Sequence, residues 1–398
     1  MADLLSQTEL RDAACGITCD QSLIPEINHC MIVEGQLPML SIQRFFCQIV
    51  DLTNFNFDLK LYPEPMRKPD VQNIINKLNE MGAKKILLQL PDGLKPQAYD
   101  LFNALSRQFS VVISSGGFYG ACDVGTYEMY SDVDCIVQLG HSIMPNVRYP
   151  KPIIFEEFFF ENDLDLERIS LDILSGYHNI GLLFSIQYMH LAAKVGDFLT
   201  GKGFHPIIGK QDERMAYPGQ VIGCNFSSAH SISGEVDCYL VVSTGKFHAI
   251  GVQLSADKET FILDVNEMRI VSMKDETDRF LRKRYAKISR AVHAKNICVV
   301  ADTKIGQYRI KLAELLMKQA TSLGLNPILL KADDVKPSDY ENLRCDAVVF
   351  TGCPRVSIDD EDKFSMPILT PPEFQSLFKI KSPGRYVMDE ITAVDNMP

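Results

Sequence analysis

Thr351-Gly-Cys-Pro-Arg-Val-Ser-Ile-Asp-Asp360 follows directly on the apolar run Asp346-Ala-Val-Val-Phe350. A buried strand that runs into glycine, cysteine and proline reads as a ligand carried on a tight turn. Gly352 removes a side chain where something bulky must approach, and Pro354 removes a backbone donor and stiffens the exit. The same small-residue-then-cysteine arrangement stands at Gly120-Ala-Cys-Asp123 and at Gly223-Cys-Asn225. From Cys122 to Cys224 is 102 residues and from Cys224 to Cys353 is 129, a spacing that suggests one ligand per domain.

The surroundings of these turns repeat. Before the last one stand a strand Asn296-Ile-Cys-Val-Val300, a turn Thr303-Lys-Ile-Gly-Gln307, a helical pattern through Leu312, Leu315, Leu316 and Ala320, and a strand Asn326-Pro-Ile-Leu-Leu330. An earlier copy runs from Asn179-Ile-Gly-Leu-Leu-Phe184 through Ser185-Ile-Gln187 and a helix to Phe204-His-Pro-Ile-Ile208. The first copy opens with Lys85-Ile-Leu-Leu-Gln-Leu90, breaks at Pro91-Asp-Gly93, and continues through Tyr99, Leu101, Phe102 and Leu105 to Phe109-Ser-Val-Val-Ile113. An amphipathic helix ending at Gly82 precedes it, with Val71, Ile74, Ile75, Leu78 and Met81 on one face. Each copy holds a further buried strand with Asp in second place: Val133-Asp-Cys-Ile-Val137, Val236-Asp-Cys-Tyr-Leu-Val-Val242 and Cys345-Asp-Ala-Val-Val-Phe350. These begin 48, 57 and 49 residues after the first strand of their copy.

Short apolar strands alternating with amphipathic helices predict an α/β chain of three repeated modules, each a mainly parallel sheet flanked by helices. The expected bounds are an N-terminal extension over 1–60, then modules over 61–175, 176–292 and 293–398 carrying Cys122, Cys224 and Cys353. Ligands collect at the carboxyl ends of such strands, and a pseudo-threefold arrangement of the modules would bring the three thiols together there.

The remaining composition narrows the function. At 398 residues, with 51 acidic against 40 basic side chains and no basic run, phosphate-driven nucleic-acid binding is disfavoured. No apolar run reaches the roughly 20 residues that span a bilayer, and the N-terminus lacks the basic region of a signal peptide. A cytoplasmic protein is expected, in which the eleven cysteines are thiols or metal ligands rather than a disulfide framework. Cys15 and Cys19 form a CxxxC pair, but Ser22 stands where a radical-enzyme loop needs its third cysteine. Cys135, Cys238, Cys298 and Cys345 fall inside apolar strands and read as core.

Three thiolates on an iron-sulfur cube leave one iron open, much as catalytic zinc keeps a place for its substrate. Cys122 and Cys224 precede candidate helix starts, where backbone dipoles favour thiolate. Spacing alone leaves iron and zinc both open.

At these residues the chain resembles the 2-(3-amino-3-carboxypropyl)histidine synthase family, most closely its archaeal homodimeric members. The resemblance covers roughly 68–390. It is carried by Leu90-Pro-Asp-Gly-Leu94, Tyr119-Gly-Ala-Cys-Asp123, Leu139-Gly-His-Ser142, Tyr217-Pro-Gly-Gln-Val-Ile-Gly-Cys-Asn225, Gly306-Gln307 with Arg309, the run from Cys353 to Asp360, and Pro367-Ile-Leu-Thr-Pro-Pro-Glu373. It implies a 4Fe-4S cluster held by Cys122, Cys224 and Cys353, with S-adenosylmethionine as co-substrate, an electron donor, a homodimer, and a histidine of translation elongation factor 2 as target. The family's reaction begins diphthamide synthesis. The carbon between the imidazole nitrogens is a poor nucleophile, so the implied chemistry uses a 3-amino-3-carboxypropyl radical and releases methylthioadenosine. Which carbon-sulfur bond breaks is set by positioning. On this reading the loops over 89–94, 185–187 and 304–309 hold the co-substrate, through Gln89, Asp92, Gly93, Ser185, Gln187, Lys304, Gln307 and Arg309. Arg309 or Lys304 would face its carboxylate, and His141 is either a pocket residue or a hydrogen-bonded turn histidine. Competing readings are a quinolinate-synthase-like enzyme with a cluster on three cysteines, a non-catalytic scaffold or electron-relay subunit, and a structural zinc protein.

Overall fold

The computed structural model describes residues 69–159, 164–380 and 384–393. The expected extension over 1–60, with Cys15, Cys19, Cys30 and Cys47, lies outside the described residues. The helix predicted to end at Gly82 spans Val71–Glu80. It starts where Asp70 Oδ1 accepts from the Asn73 amide at 2.9 Å, and it buries Ile74, Ile75 and Leu78.

The described strands form three sheets. The first orders β1 (Lys85–Gln89), β2 (Ser110–Ile113), β3 (Cys135–Leu139) and β4 (Ile153–Glu156) as β2-β1-β3-β4, all parallel. The second holds β5 (Asn179–Phe184), β6 (His205–Ile207), β7 (Cys238–Ser243), β8 (Thr260–Asp264) and β9 (Arg269–Ser272), in the order β6-β5-β7-β8-β9. Only β9 in that sheet runs antiparallel, against β8. The third holds β10 (Asn296–Asp302), β11 (Asn326–Ala332), β12 (Ala347–Phe350) and β13 (Ile368–Leu369), in the order β11-β10-β12-β13, all parallel. The first four strands of every sheet thus share one topology. Sequence reading found the first three strands of each copy but not the fourth, because β4, β8 and β13 rest on short apolar stretches without periodicity.

Central strands β3, β7 and β12 are buried throughout, whereas the edge strand β2 alternates between exposed and half-buried positions. That is how a parallel sheet covered on both faces differs at its rim. The helix Ile310–Ser322 buries Ala313, Leu316 and Ala320. One apolar core runs from Leu183, Val221 and Tyr239 of the second sheet region to Ile297, Val299 and Leu369 of the third. The first sheet packs around its own core of Ile86, Leu88, Leu101, Leu105, Cys135 and Val137.

The aspartate repeated in second place has a structural task. Asp134 Oδ2 accepts from the amides of Lys84 and Lys85, Asp237 Oδ2 from those of His178 and Asn179, and Asp346 Oδ2 from those of Lys295 and Asn296. All six distances fall between 2.7 and 2.9 Å. Each carboxylate therefore staples the start of its sheet's central strand to the neighbouring one.

One expectation is corrected. Cys298 and Cys345, read as core thiols, are joined as a disulfide between β10 and the residue pair leading into β12, with Cα atoms 5.8 Å apart. Register explains the meeting: β10 and β12 are paired neighbours, Cys298 opposite Val348, and sequence separation hides such adjacency. Cys135 and Cys238 remain buried thiols.

Candidate functional site

Cys122, Cys224 and Cys353 line one cavity of about 230 Å³. Cys122 lies between β2 and β3, Cys224 between β6 and β7, and Cys353 three residues past β12, so each sheet region contributes one. Cys122 and Cys224 are buried and Cys353 is half-buried. Among the described residues no three His, Cys, Asp or Glu side chains are gathered as a site for one metal ion.

A continuous set of hydrogen bonds holds the three cysteine turns to one another. The Gly306 amide donates to the Cys122 carbonyl at 2.9 Å. Gln307 spans two cysteines: Nε2 donates to Cys122 Sγ at 3.1 Å, and Oε1 accepts from the Cys353 amide at 2.9 Å. Arg309 donates through Nε to the Thr351 carbonyl at 2.6 Å and through Nη1 to Asp389 Oδ1 at 3.0 Å. Two residues on from Asp389, the Ile391 amide donates to the Cys224 carbonyl at 2.7 Å. Gly306 cannot carry a side chain, because a Cβ there would overlap the Cα and Cβ of Cys122.

Burial raises the thiol of Cys122 to about 12, with Arg214 the largest opposing influence; Cys224 is raised for the same reason, again opposed by Arg214. The Cys353 thiol is also raised, by burial and then by the nearby Cys224 and Cys122. This corrects the expectation that helix starts would favour thiolate at Cys122 and Cys224. The helices that follow, Tyr127–Tyr130 and Ser227–His230, begin five and three residues later, and it is Cys353 that caps a helix, Pro354–Asp359. Coordination by a metal deprotonates such thiols outright.

The rest of the wall mixes apolar side chains such as Ile143, Met144, Ile186 and Met215 with Ser142, Ser185, Gln187, Gln220, His141, His248, Arg214 and Arg355, and carries no carboxylate among its described residues. Gln220 Nε2 donates to Ser142 Oγ at 2.7 Å. Burial lowers His141 to about 4, and burial followed by Arg355 lowers His248 to about 4, so both imidazoles are neutral at neutral pH. His141 unites its two sequence readings, since it borders the cavity while Nδ1 stands 3.2 Å from Gln138 Oε1.

Of the residues expected to hold a co-substrate, Ser185 and Gln187 face the cavity. Lys304 and Gln307 line a smaller hollow of about 30 Å³ beside Cys353, with Asp302, Asp333 and Tyr119. Burial opposes the charge on Lys304, but Asp302, Asp123 and Asp333 keep its pKa above the ordinary value. Arg309 lies elsewhere, buried and paired with Asp389. Gln89 is buried behind the Cys122 loop, donating to the Val124 carbonyl at 2.8 Å and accepting from Gln138 at 2.9 Å. Asp92 is exposed beside Lys95 and, with Gly93, starts the 3₁₀ turn Asp92–Gln97 away from the cavity. Arg214 and His248 escaped sequence reading. Arg214 sits in the charged run Gln211-Asp-Glu-Arg214, which reads as solvated surface.

No helix among the described residues is long and apolar enough to cross a membrane. Residues 90–387 match the family described as "Putative diphthamide synthesis protein". The 2-(3-amino-3-carboxypropyl)histidine synthase of Pyrococcus horikoshii is 31% identical over 80% of this chain and 92% of its own length. The enzyme of the same name from Methanocaldococcus jannaschii is 25% identical over 82% of this chain and 94% of its own. The crystal structure of Dph2 from Pyrococcus horikoshii with a 4Fe-4S cluster superposes with a TM-score of 0.75 at 29% identity, covering 82% of this chain and 95% of that one. With the fold, the three-cysteine cavity and the match over 90–387 in agreement, the chain belongs to the diphthamide synthesis protein family.

Proposed function

We propose that this protein carries out the first step of diphthamide synthesis, moving the 3-amino-3-carboxypropyl group of S-adenosylmethionine to the imidazole carbon of a histidine in translation elongation factor 2. The observation that carries the reading is the convergence of Cys122, Cys224 and Cys353, one from each sheet region, on a single cavity. These residues suit a 4Fe-4S cluster: three thiols, a wall free of competing carboxylates among its described residues, and a buried cation beside two of the sulfurs. When bound, the cluster supplies one electron to the sulfonium and an open coordination place. A relative's solved structure holding such a cluster supports the same assignment.

The chain's own residues would do the positioning. Ser185 and Gln187 offer hydrogen bonds to the co-substrate, and the neutral imidazoles of His141 and His248 add polar contacts without charge. Lys304, kept charged in its acidic hollow next to Cys353, stands where a carboxylate could be met. A cytoplasmic homodimer served by a separate electron donor completes the proposal.

Anaerobic reconstitution followed by S-adenosylmethionine and dithionite tests it. Methylthioadenosine is the expected product; its absence, or 5′-deoxyadenosine in its place, refutes the reading. Replacing Cys122, Cys224 or Cys353 singly with Ala should abolish turnover. Cys135→Ser and Cys238→Ser should leave the cluster's absorbance intact, since burial in β3 and β7 keeps both thiols as core groups.

A further inference from the structure

Arg214 is fully buried, yet its guanidinium has an incomplete set of partners. Nη2 donates to the Gly306 carbonyl at 2.8 Å, while Nε and Nη1 have no hydrogen-bond partner among the described residues. A guanidinium stays charged under all ordinary conditions, and burying one without a counter-ion is strongly unfavourable. No carboxylate lines the described wall of the cavity that it borders. The groups that it faces are thiols: it shares the cavity wall with Cys122, Cys224 and Cys353, and its side chain hydrogen-bonds that of Cys224.

Its position is tied to that of the cysteine. Asp212 Oδ1 accepts from the Arg214 amide at 3.0 Å, and Asp212 Oδ2 accepts from Asn225 Nδ2, next to Cys224, at 2.9 Å. One carboxylate thus fixes the arginine loop and the cysteine loop together, while Gly306 joins both to the Cys122 turn. A substrate carboxylate is the other anion able to satisfy a buried arginine. Arg214 borders the same cavity as the cysteines although it is 0% exposed, and an affinity measurement separates the substrate carboxylate from the sulfurs.

We propose that Arg214 is the resident counter-charge of the Cys122 and Cys224 thiolates, a positioning residue that biases the metal group they hold toward accepting an electron. This rests on the cluster reading above and adds to it control of the reduction potential by one side chain. A fixed positive charge and N–H donors aimed at sulfur favour the more negative, reduced state, and so raise the potential.

Redox titration of the reconstituted protein, without S-adenosylmethionine or elongation factor, tests the assignment, with iron content and melting temperature taken on the same samples. Arg214→Met should lower the ratio of reduced to oxidised cluster about tenfold at fixed potential, which is 59 mV for a one-electron couple. Arg214→Lys keeps the charge but loses the fork, and should lower the ratio about threefold at most; Arg214→Gln, which removes the charge but keeps N–H donors, decides the matter where the methionine variant fails to load iron. A wild-type potential in an iron-loaded variant that has lost the charge, Arg214→Met or Arg214→Gln, overturns the assignment. So does a tenfold loss of S-adenosylmethionine affinity at unchanged potential, which would give Arg214 to the co-substrate. Wild-type protein that forms methylthioadenosine while all potentials coincide sinks this inference and leaves the proposed function standing; wild-type protein that loads no cluster sinks both.

Discussion

Gly306 shows how one missing side chain sets the site. Its amide holds the Cys122 carbonyl, and its Cα lies where any Cβ would overlap that cysteine. Gly306→Ala must displace the Cys122 turn or its own, at a cost of about 1–3 kcal/mol for an overpacked position. The expected outcome is a lower melting temperature together with less iron per chain after reconstitution; full iron loading would show that the turn yields without consequence. Arg309 makes the complementary case. Its charge is spent on Asp389 and on the carbonyls of Thr351 and Gly352. Arg309→Ala leaves Asp389 buried and unpaired, so denaturant unfolding should report a loss of about 3–5 kcal/mol. A residue bound only to a co-substrate would leave apo-protein stability unchanged. In sequence both residues read as members of a loop near a ligand. That reading reaches a loop that touches Cys122 through Gly306 and Gln307 but cannot tell an arginine aimed into a cavity from one aimed into a fold.

Among the elements, the stapled strand pairs carry a pH signature. Asp134, Asp237 and Asp346 are all held below the ordinary carboxylate range, chiefly by the two backbone amides that each accepts from. Their folded pKa values are depressed, so their contribution to stability is present above the unfolded value of about 3.9 and is lost as pH falls through the folded values. Replacing all three with Asn should destabilise the protein at pH 7. The gap to wild type should close as pH drops below about 4, read by unfolding at successive pH values; a gap that stays constant into acid would dissociate these carboxylates from the staples. The repetition of Asp before a buried strand was visible in the chain, and so was the succession of strand, helix and strand that precedes it. What it bonds to was not, because the donating amides lie 50 residues upstream in the first sheet and 59 in the second.

At the scale of the whole molecule, the second and third sheets share one apolar core, whereas the first packs around its own. A small cluster of Ala121, Cys122, Met144 and Val147, touching Ile222 and Ile305, carries the Cys122 turn against residues of the other two sheet regions. A metal group gripping all three cysteines would therefore act most on the first sheet. Hydrogen exchange should show β1 and β3 slowing on reconstitution far more than β10 and β12, with the difference lost in Cys122→Ala. Uniform slowing would mean that the three sheets already move as one.

The chain by itself determined the alternation of strand and helix, the threefold repetition of one topology, the identity of the three cysteines and the family, because each is written in local periodicity or in short ordered motifs. Only the tertiary structure decided that Arg309 supports Asp389 rather than facing the cavity, that Arg214 is buried beside the thiols, and that Cys298 meets Cys345. The physical reason is shared. Charge state and partner choice depend on what lies within a few ångströms across the fold, and residues 46 to 185 positions apart make those contacts here.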